Sequence, residues 1–325
     1  MPRSAGRLTG SLAAIVAASL FATLGPVSRG AYEAGMTPTG FTFWRALIGA
    51  FVVVAILAAG ASRGRPRLAL RTVPPRARLA LAAAAITGVV LNLAIFTAFQ
   101  RTAIALALFA FYTYPAVVAA ASILLGEETL SRRRGIALVL ALAGMAVVVL
   151  GGSGAPGRGP GFDALGFGLA LVGSAAQAVY VLLGRRGFPT VPSGEATLVV
   201  LAGSAAGYAC LALVTGGAAI ALPLEAPAVL APVAWAGIAG AGIPSLLFMV
   251  AIRAIGPTRT SILALLEPVV GVVLAAVVLG ESLAPLQAAG GVLVLAAAGL
   301  LQRGEAAEPH ESVAIGPGPQ ETTAD

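Results

Sequence analysis

Charged residues are scarce for a chain of this length. The 325 residues include 20 basic and 13 acidic side chains, and 58% of all residues are hydrophobic. A soluble protein carries charge on about 25% of its residues. The composition therefore excludes an ordinary soluble globular protein and predicts an integral membrane protein. Ten helices of about 20 apolar residues each would fit within the chain.

Residue types on which many enzymes depend are also missing or rare. The sequence has no lysine, because all 20 basic residues are arginine, which excludes a P-loop lysine and a Schiff base. There is one histidine, His310, in a polar terminal segment, and one cysteine, Cys210. Histidine metal sites, catalytic triads and iron–sulfur centres need more of these residues than the chain has. We therefore expect no catalytic residues, no metal and no cofactor.

Apolar segments divide the sequence into ten spans. None shows the two-residue alternation of a barrel strand, so an all-α integral membrane protein with ten transmembrane helices is predicted. The Gly/Pro-rich linker 152–163 separates two halves, 8–151 and 164–302, and the acidic segment 303–325 is predicted to be a disordered tail. The predicted helices are 8–28, 38–60, 79–99, 103–125, 134–151, 164–184, 195–217, 230–252, 257–280 and 284–302.

The arginines predict the orientation of the chain. With the N-terminus placed inside, sixteen arginines lie on the cytoplasmic side and three, Arg29, Arg101 and Arg158, on the outer side. Basic residues prefer cytoplasmic loops, so both termini are predicted to be cytoplasmic, in the inner or plasma membrane of the cell. These arginines lie in short loops, where they would bind anionic lipid headgroups rather than nucleic acid. The sixteen are Arg3, Arg7, Arg63, Arg65, Arg67, Arg71, Arg76, Arg78, Arg132, Arg133, Arg134, Arg185, Arg186, Arg253, Arg259 and Arg303.

The two halves resemble each other in the order of their marker residues. Each has a Phe-to-Arg segment, a proline within a helix, a glutamate thirteen residues later and two glycines nine residues apart. Five helices in each half make the halves inverted repeats, which are typical of secondary transporters. Cleavage of the first segment as a signal peptide is an alternative, and it would leave nine spans. The corresponding positions are 96–101 and 248–253, Pro115 and Pro268, Glu128 and Glu281, and Gly135 with Gly144 and Gly290 with Gly299.

Three prolines predict interrupted helices. Pro115 in helix 4 and Pro268 in helix 9 are at corresponding positions, and Pro244 follows Gly242 in helix 8. Proline removes a backbone donor and disrupts the helix ladder. In inverted-repeat transporters such interruptions lie beside the substrate site near the membrane midplane.

At these residues the sequence resembles the EamA family of the drug/metabolite transporter superfamily. The resemblance covers about residues 8–302 and is carried by Phe-Trp-Arg at 43–45, the proline and Gly-Glu of helices 4 and 9, and the glycines of helices 5 and 10. It implies a ten-helix inverted-repeat carrier that exports or exchanges small metabolites, often amino acids or related compounds. One departure is Tyr114, which stands where the second half has Glu267, so the resemblance implies no symmetric charge role there.

Two charged residues lie well inside the predicted spans. Arg45 is about seven residues, or roughly 10 Å, inside helix 2, where it could anchor an anion or instead extend its guanidinium to the outer surface. Glu267 is about ten residues, or roughly 15 Å, inside helix 9. It could carry a coupling proton, bind an amine, or partner the break at Pro268 or an arginine. The depths of Arg45 and Glu267 allow an ion pair between them.

Weaker candidates are polar or aromatic residues on the other helices. Each could hydrogen-bond a substrate, or could join helices by a bond of about 0.6 kcal/mol. They are Asn92, Tyr112, Tyr114, Gln177, Tyr180 and Tyr208. The GxxxG match at 203–207 could form a homodimer face, although general helix packing is the other interpretation.

The leading hypothesis is a secondary transporter of small amino-acid-like metabolites that works as an exporter by alternating access. Proton coupling through Glu267 is the version of this hypothesis to test first. The cavity is expected between helices 1–4 and 6–9. A sugar or nucleotide-sugar carrier is the alternative, and it would be expected to have more cationic residues in the cavity. An intramembrane enzyme would need clustered catalytic groups, and a structural or sensory membrane protein would need a folded soluble domain, so both are less favoured.

Overall fold

The computed structural model describes residues 3–61, 73–126, 131–151, 161–214, 220–221, 223, 226, 229–279 and 284–307. Every regular element within these residues is a helix, and nine spans there are long and apolar enough to cross a membrane. A tenth helix, Pro285–Ala307, has a shorter apolar part, Pro285–Leu301. Large apolar side chains such as Phe51 and Leu79 are exposed on the outside of the bundle, where lipid would surround them. The predicted all-α membrane fold is confirmed.

Four of the ten helices are interrupted, and their parts are labelled a and b. Consecutive membrane-crossing helices alternate in direction, so the start of the first helix and the end of the last described helix fall at one end of the bundle, called here the termini side. The other end, where α5 finishes and α6 begins, is called the linker side. The helices are α1a (Arg3–Phe21), α1b (Leu24–Glu33), α2 (Pro38–Ala61), α3 (Pro75–Arg101), α4a (Ile104–Phe111), α4b (Tyr114–Leu124), α5 (Arg132–Gly151), α6 (Ala164–Arg186), α7 (Ser193–Val214), α8a (Leu230–Gly237), α8b (Ile243–Ile255), α9a (Pro257–Ala264), α9b (Leu266–Leu279) and α10 (Pro285–Ala307).

Some predicted features fall outside the described residues. These are most of the linker, the glutamates Glu128 and Glu281, and the chain beyond Ala307. The last helix continues to Ala307, past residue 303, where the sequence predicts the tail to begin.

Prolines mark the interruptions because they lack a backbone donor. Pro115 lies in the first turn of α4b and Pro268 in the first turn of α9b. Pro244 follows a π-helical segment, Ile238–Gly242, which joins α8a to α8b. Pro26 has a similar place in α1b, an interruption that the sequence analysis did not predict.

Each half of the chain contributes to each group of packed helices. α8 and α9 pack on α1, and α6 packs on α3 and α4. α2 packs on α7, and α5 packs on α10. We call the first two sets the α1–α8–α9 group and the α3–α4–α6 group. The space between these two groups holds the cavity described below.

The GxxxG motif on α7 is used inside the chain. A Cβ atom added at Gly203 would lie 2.8 Å from Ala85 Cβ, and one at Gly207 would lie 2.8 Å from Val89 Cγ2. Both glycines therefore face α3 at close range, so the motif is used for helix packing within the chain.

The sequence-based orientation assumed that Arg259 lies in a loop. In the structure it does not. Gly256 turns the chain directly from α8 into α9, with a positive φ of 87° that favours glycine. Pro257 then begins α9a, so no loop separates the two helices. Arg259 falls in the first turn of α9a and is buried, together with Thr260 and Ser261. It therefore contributes no exposed loop charge.

Candidate functional site

A cavity of about 390 Å³ lies among α1–α4 and α6–α9, as the sequence analysis expects, and α5 and α10 contribute only to its rim. Its lining is mainly aromatic and aliphatic, with Phe21, Phe96, Phe99, Phe111 and Phe248 among the larger side chains. The polar and charged lining residues are Arg45, Asn92, Tyr114, Gln177, Tyr180, Thr197, Ser204, Tyr208, Ser245, Glu267 and Gln287. Seven of the eight residues singled out from the sequence as binding or coupling candidates are therefore brought to one cavity, the exception being Tyr112.

Arg45 is the buried cation of this cavity, with only 7% of its surface exposed. Its Nε and Nη2 atoms donate to the carbonyl oxygen of Gly240, at 3.1 and 2.6 Å. Its Nη1 donates to Asn92 Oδ1 at 2.6 Å, and the guanidinium lies 5.3 Å from the centre of the Phe96 ring. Arg45 thus faces the interior rather than extending to the outer surface.

The π-helical segment supplies the acceptor for Arg45. Gly240 lies in that segment, where the regular α-helical ladder is widened by one residue. A Cβ atom at Gly240 would lie 2.3 Å from Leu24 Cδ2, so α8 approaches α1 closely here. The close approach favours glycine at position 240. The carbonyl of the same residue accepts the hydrogen bonds from Arg45.

Asn92 is held in one orientation. Its Nδ2 atom donates to the carbonyl of Gly88 at 2.8 Å, which leaves Oδ1 directed at Arg45. The Tyr208 hydroxyl donates to the same Gly88 carbonyl at 3.0 Å. These bonds connect α2, α3 and α7 behind the guanidinium.

Glu267 lies in the first turn of α9b, next to Pro268, and is partly exposed to the cavity. Tyr112 and Tyr114 of α4 both interact electrostatically with its carboxyl group. Tyr114 lines the cavity, whereas Tyr112 is fully buried behind it. The carboxyl therefore has two tyrosines on one side and the cavity on the other.

Arg45 and Glu267 lie in the same cavity but do not form an ion pair. The three hydrogen bonds of Arg45 go to Gly240 and Asn92, although its charge still acts on the Glu267 carboxyl. An ion pair that the structure does contain joins Arg101 to Asp163. The two interior charges are therefore both available to the cavity.

Gln177 and Tyr180 of α6 line the same cavity. Gln177 interacts with the Tyr114 hydroxyl, and Tyr180 is buried near Arg253. Neither Pro115 nor Pro244 lines the cavity, but both lie at the interruptions that bend its walls.

Several residues near the site were not identified from the sequence. Tyr32 donates to the Phe96 carbonyl at 3.1 Å and interacts with Arg45. The carbonyl oxygen of Gly240 accepts hydrogen bonds from the Arg45 guanidinium, and Ser245 faces the cavity from α8b. Tyr32 lies near the end of its helix, where a tyrosine usually marks the membrane interface, and a backbone carbonyl leaves no sequence signal.

The termini side of the cavity is closed by packed helices. The two half-helices on this side, α4b and α9a, pack on each other. Arg253, near the end of α8b, donates to the carbonyls of Gly184, Phe188 and Val191, and its guanidinium lies 5.4 Å from the Phe188 ring centre. Arg185 donates to the Arg253 carbonyl at 2.6 Å. Arg253 therefore joins α8 to the connection between α6 and α7.

On the linker side, α1b and α3 are in contact and joined by the Tyr32–Phe96 hydrogen bond, but α4 and α9 are less closely packed than on the termini side. Among the described residues, α4a and α9b are not a packed pair, in contrast to α4b and α9a. The cavity lining reaches Ile104 at the start of α4a and Gln287 at the start of α10, both on this side. The cavity thus extends toward the linker side.

An ion pair lies at the edge of the linker side. Arg101 Nε and Nη2 donate to the Asp163 carboxylate at 3.1 and 3.2 Å. The carboxylate also accepts from the Gly166 backbone at 2.6 Å, and so caps α6. The Arg101 guanidinium holds the pKa of Asp163 below its usual range. These bonds join the end of α3 to the start of α6, its packing partner.

Comparisons with known proteins agree with this architecture. Residues 8–150 and 164–302 each match the model of the EamA-like transporter family. A solved structure described as a crystal structure of a protein has a TM-score of 0.73 and 20% sequence identity, and the match covers 93% of this chain and 98% of that one. No curated protein matches this sequence. The two family matches coincide with the two five-helix halves.

Proposed function

Because the chain belongs to the EamA-like transporter family, and is therefore a multi-pass membrane transporter of the drug/metabolite transporter superfamily, we propose that it exports small amino-acid-like metabolites by alternating access. The observation that carries this proposal is one cavity that holds a buried guanidinium and a separate carboxyl group. An amino acid presents a carboxylate and an ammonium, which complement these two groups.

Arg45 is the group that would bind the substrate carboxylate. A guanidinium has five N–H donors, and the bonds to Gly240 and Asn92 engage three of them. Two donors remain for an anion in the cavity. The fixed partners also hold the guanidinium in place, so less side-chain entropy is lost when the substrate binds.

Glu267 is the group that would carry a coupling proton. Carboxyl groups inside membranes are costly when charged, and they commonly mark proton pathways in transporters. A substrate ammonium is the second ligand that the carboxyl could bind. Protonation of Glu267 would remove its charge without any contact to the substrate, and a proton gradient would then supply the energy of transport.

The size and lining of the cavity favour a small substrate. Pockets for small molecules usually have about 300–1,000 Å³, and this cavity has about 390 Å³ with a largely aromatic lining. A sugar or nucleotide-sugar carrier would be expected to have further cations, whereas Arg45 is the one arginine among the lining residues of the described chain. The amino-acid-like class is therefore preferred.

The positive-inside rule supports the orientation of the chain that the proposal assumes. It places the termini side in the cytoplasm and the linker side outside, in the inner or plasma membrane. The cavity extends toward the linker side, so the structure would correspond to an outward-facing state, from which an exported substrate leaves.

The test is transport of a panel of radiolabelled amino acids and related amines in proteoliposomes, with and without a proton gradient. Arg45→Ala should lower transport roughly ten- to a hundredfold, because a charge-assisted hydrogen bond contributes about 1.5–3 kcal/mol. Glu267→Gln should abolish the response to the proton gradient. Glu33→Gln, at an exposed position at the end of α1b, is the control for a lost carboxyl group. Full gradient-driven transport by Glu267→Gln would reject the coupling role.

A further inference from the structure

Tyr112 has a buried hydroxyl group that the proposed binding site does not use. The residue is fully buried, with 0% of its surface exposed, and does not line the cavity. Within the described residues its hydroxyl oxygen makes no hydrogen bond of regular geometry, although the Glu267 carboxyl is near enough to act on it as an acceptor. Leaving a buried hydroxyl without a partner costs about 1–3 kcal/mol, so a bond formed in another state of the protein would explain why the hydroxyl is there.

The charged group that acts most strongly on this hydroxyl is the carboxyl of Glu267. The other groups that act on the carboxyl are Tyr114, from the same helix as Tyr112, and Arg45, from α2. Tyr114 also interacts with Gln177, and Arg45 is bonded to Gly240 and Asn92. Among these neighbours, Tyr112 is the one without another partner.

Tyr112 and Glu267 lie on different moving parts. Tyr112 is at the interruption between α4a and α4b, and Glu267 follows the interruption at Leu265 between α9a and α9b. α4 packs in the α3–α4–α6 group and α9 in the α1–α8–α9 group. A bond between the two side chains would therefore cross the boundary along which the groups must separate during transport.

We propose that Tyr112 is a positioning residue that donates a hydrogen bond to ionised Glu267 and so ties α4 to α9 near the middle of the bundle. Protonation of Glu267 weakens this bond, because hydrogen bonds to charged acceptors are about twice as strong as neutral ones. The proton is exchanged between the carboxylate and cavity water, and Tyr112 keeps its own proton throughout. This inference depends on the proposed coupling role of Glu267, and it adds the means by which proton binding would release the two helix groups.

The test follows the carboxyl group directly and needs no substrate. The full chain is reconstituted in lipid, and the carbonyl stretch of protonated carboxylic acids is recorded by infrared spectroscopy during a pH titration. Glu267→Gln assigns the band, because it removes only that carboxyl group. Tyr112→Phe then removes only the donor. It should raise the midpoint of the titration by about one to two pH units, a ten- to hundredfold gain in proton affinity.

Tyr114→Phe is the matched control, because it removes a hydroxyl from the neighbouring tyrosine that interacts with Gln177. It should shift the midpoint less than Tyr112→Phe does. Thermal unfolding at a pH where Glu267 is protonated separates a structural role, because the proposed bond is then weakened and Tyr112→Phe should lower the unfolding temperature little. Glu267→Asp is the second variant, for use if Tyr112→Phe fails to fold. It draws the carboxyl back by one methylene and should by itself raise the midpoint of the carboxyl titration.

The outcomes separate this inference from the proposed function. An unchanged midpoint in Tyr112→Phe, beside a clear Glu267 band in the wild type, overturns the role of Tyr112 and leaves proton coupling intact. Absence of a titrating Glu267 band in the wild type overturns both. Loss of stability in Tyr112→Phe with no shift would assign the hydroxyl to helix packing alone.

Discussion

Arg101 and Arg253 occupy corresponding positions in the two halves of the chain, yet they hold the two ends of the bundle differently. Arg101 pairs with Asp163 at the surface, where the side chains are 42% and 33% exposed. Arg253 is partly buried and donates to three backbone carbonyls, that of Gly184 in α6 and those of Phe188 and Val191 in the connection between α6 and α7. An exposed ion pair contributes about 0–1 kcal/mol, whereas each hydrogen bond from a charged donor contributes about 1.5–3 kcal/mol.

The difference in partners matters as much as the difference in energy. Arg101 joins α3 to α6, and these helices are packed along their length in any case. Arg253 joins the α1–α8–α9 group to the α3–α4–α6 group, through the end of α6. The two repeats therefore place an arginine at corresponding positions near the two ends of the bundle. Of the two, only Arg253, on the termini side, forms hydrogen bonds between the two helix groups. This accounts for a cavity that extends toward the linker side.

The largest expected effect comes from Arg253→Ala. It would remove the cross-group bonds and leave buried carbonyls unpaired, lowering the free energy of unfolding by about 2–4 kcal/mol. It should also open the termini side, which maleimide labelling of a cysteine placed at Ser261, a buried α9a residue that does not line the cavity, would report in a Cys210→Ser background. Arg101→Ala is the matched control at the other end. Equal labelling in the two variants would show that Arg253 does not hold the termini side closed.

An intermediate effect is expected where α1 meets α8 on the termini side. A Cβ atom at Gly10 would lie 2.6 Å from Ala254 Cβ, whereas one at Gly166, near the start of α6, would have its nearest contact at 3.1 Å. Gly10→Ala should therefore destabilise the protein by about 1–3 kcal/mol through overpacking, and Gly166→Ala by less. Gly6→Ala, which meets open space, is the control in thermal unfolding. A larger loss of stability for Gly166→Ala than for Gly10→Ala would contradict the expectation that packing is tighter on the termini side.

The smallest effect is expected for the linker-side ion pair. Arg101→Ala should lower the free energy of unfolding less than Arg253→Ala or Gly10→Ala does, and less still at high salt, because water and salt screen an exposed ion pair. Because Arg101 depresses the pKa of Asp163, the pair stabilises the fold above the unfolded-state pKa, about 3.9. That contribution should be lost as the pH falls through the lower folded-state value. Unfolding of wild type and Arg101→Ala should converge at acid pH, and a constant gap between them would contradict this assignment.

The candidate site illustrates which signals a sequence carries. Arg45 and Glu267 stood out because charge inside an apolar span is costly and needs a reason. Pro115, Pro244 and Pro268 stood out because proline disrupts a helix. The partners of these residues could not be read in the same way. Gly240 acts through its carbonyl oxygen, and Tyr32 is brought to Arg45 by the packing of α1 on neighbouring helices.

The sequence by itself determined that this protein spans a membrane with helices in two related halves, because hydrophobicity, arginine placement and repeated marker residues are local properties. The tertiary structure decided which side chains meet. It separated Arg45 from Glu267, buried Arg259, and faced Gly203 and Gly207 toward α3. It also gave Arg101 and Arg253 different partners. These outcomes depend on how helices distant in sequence pack, and apolar segments of similar composition leave that packing open.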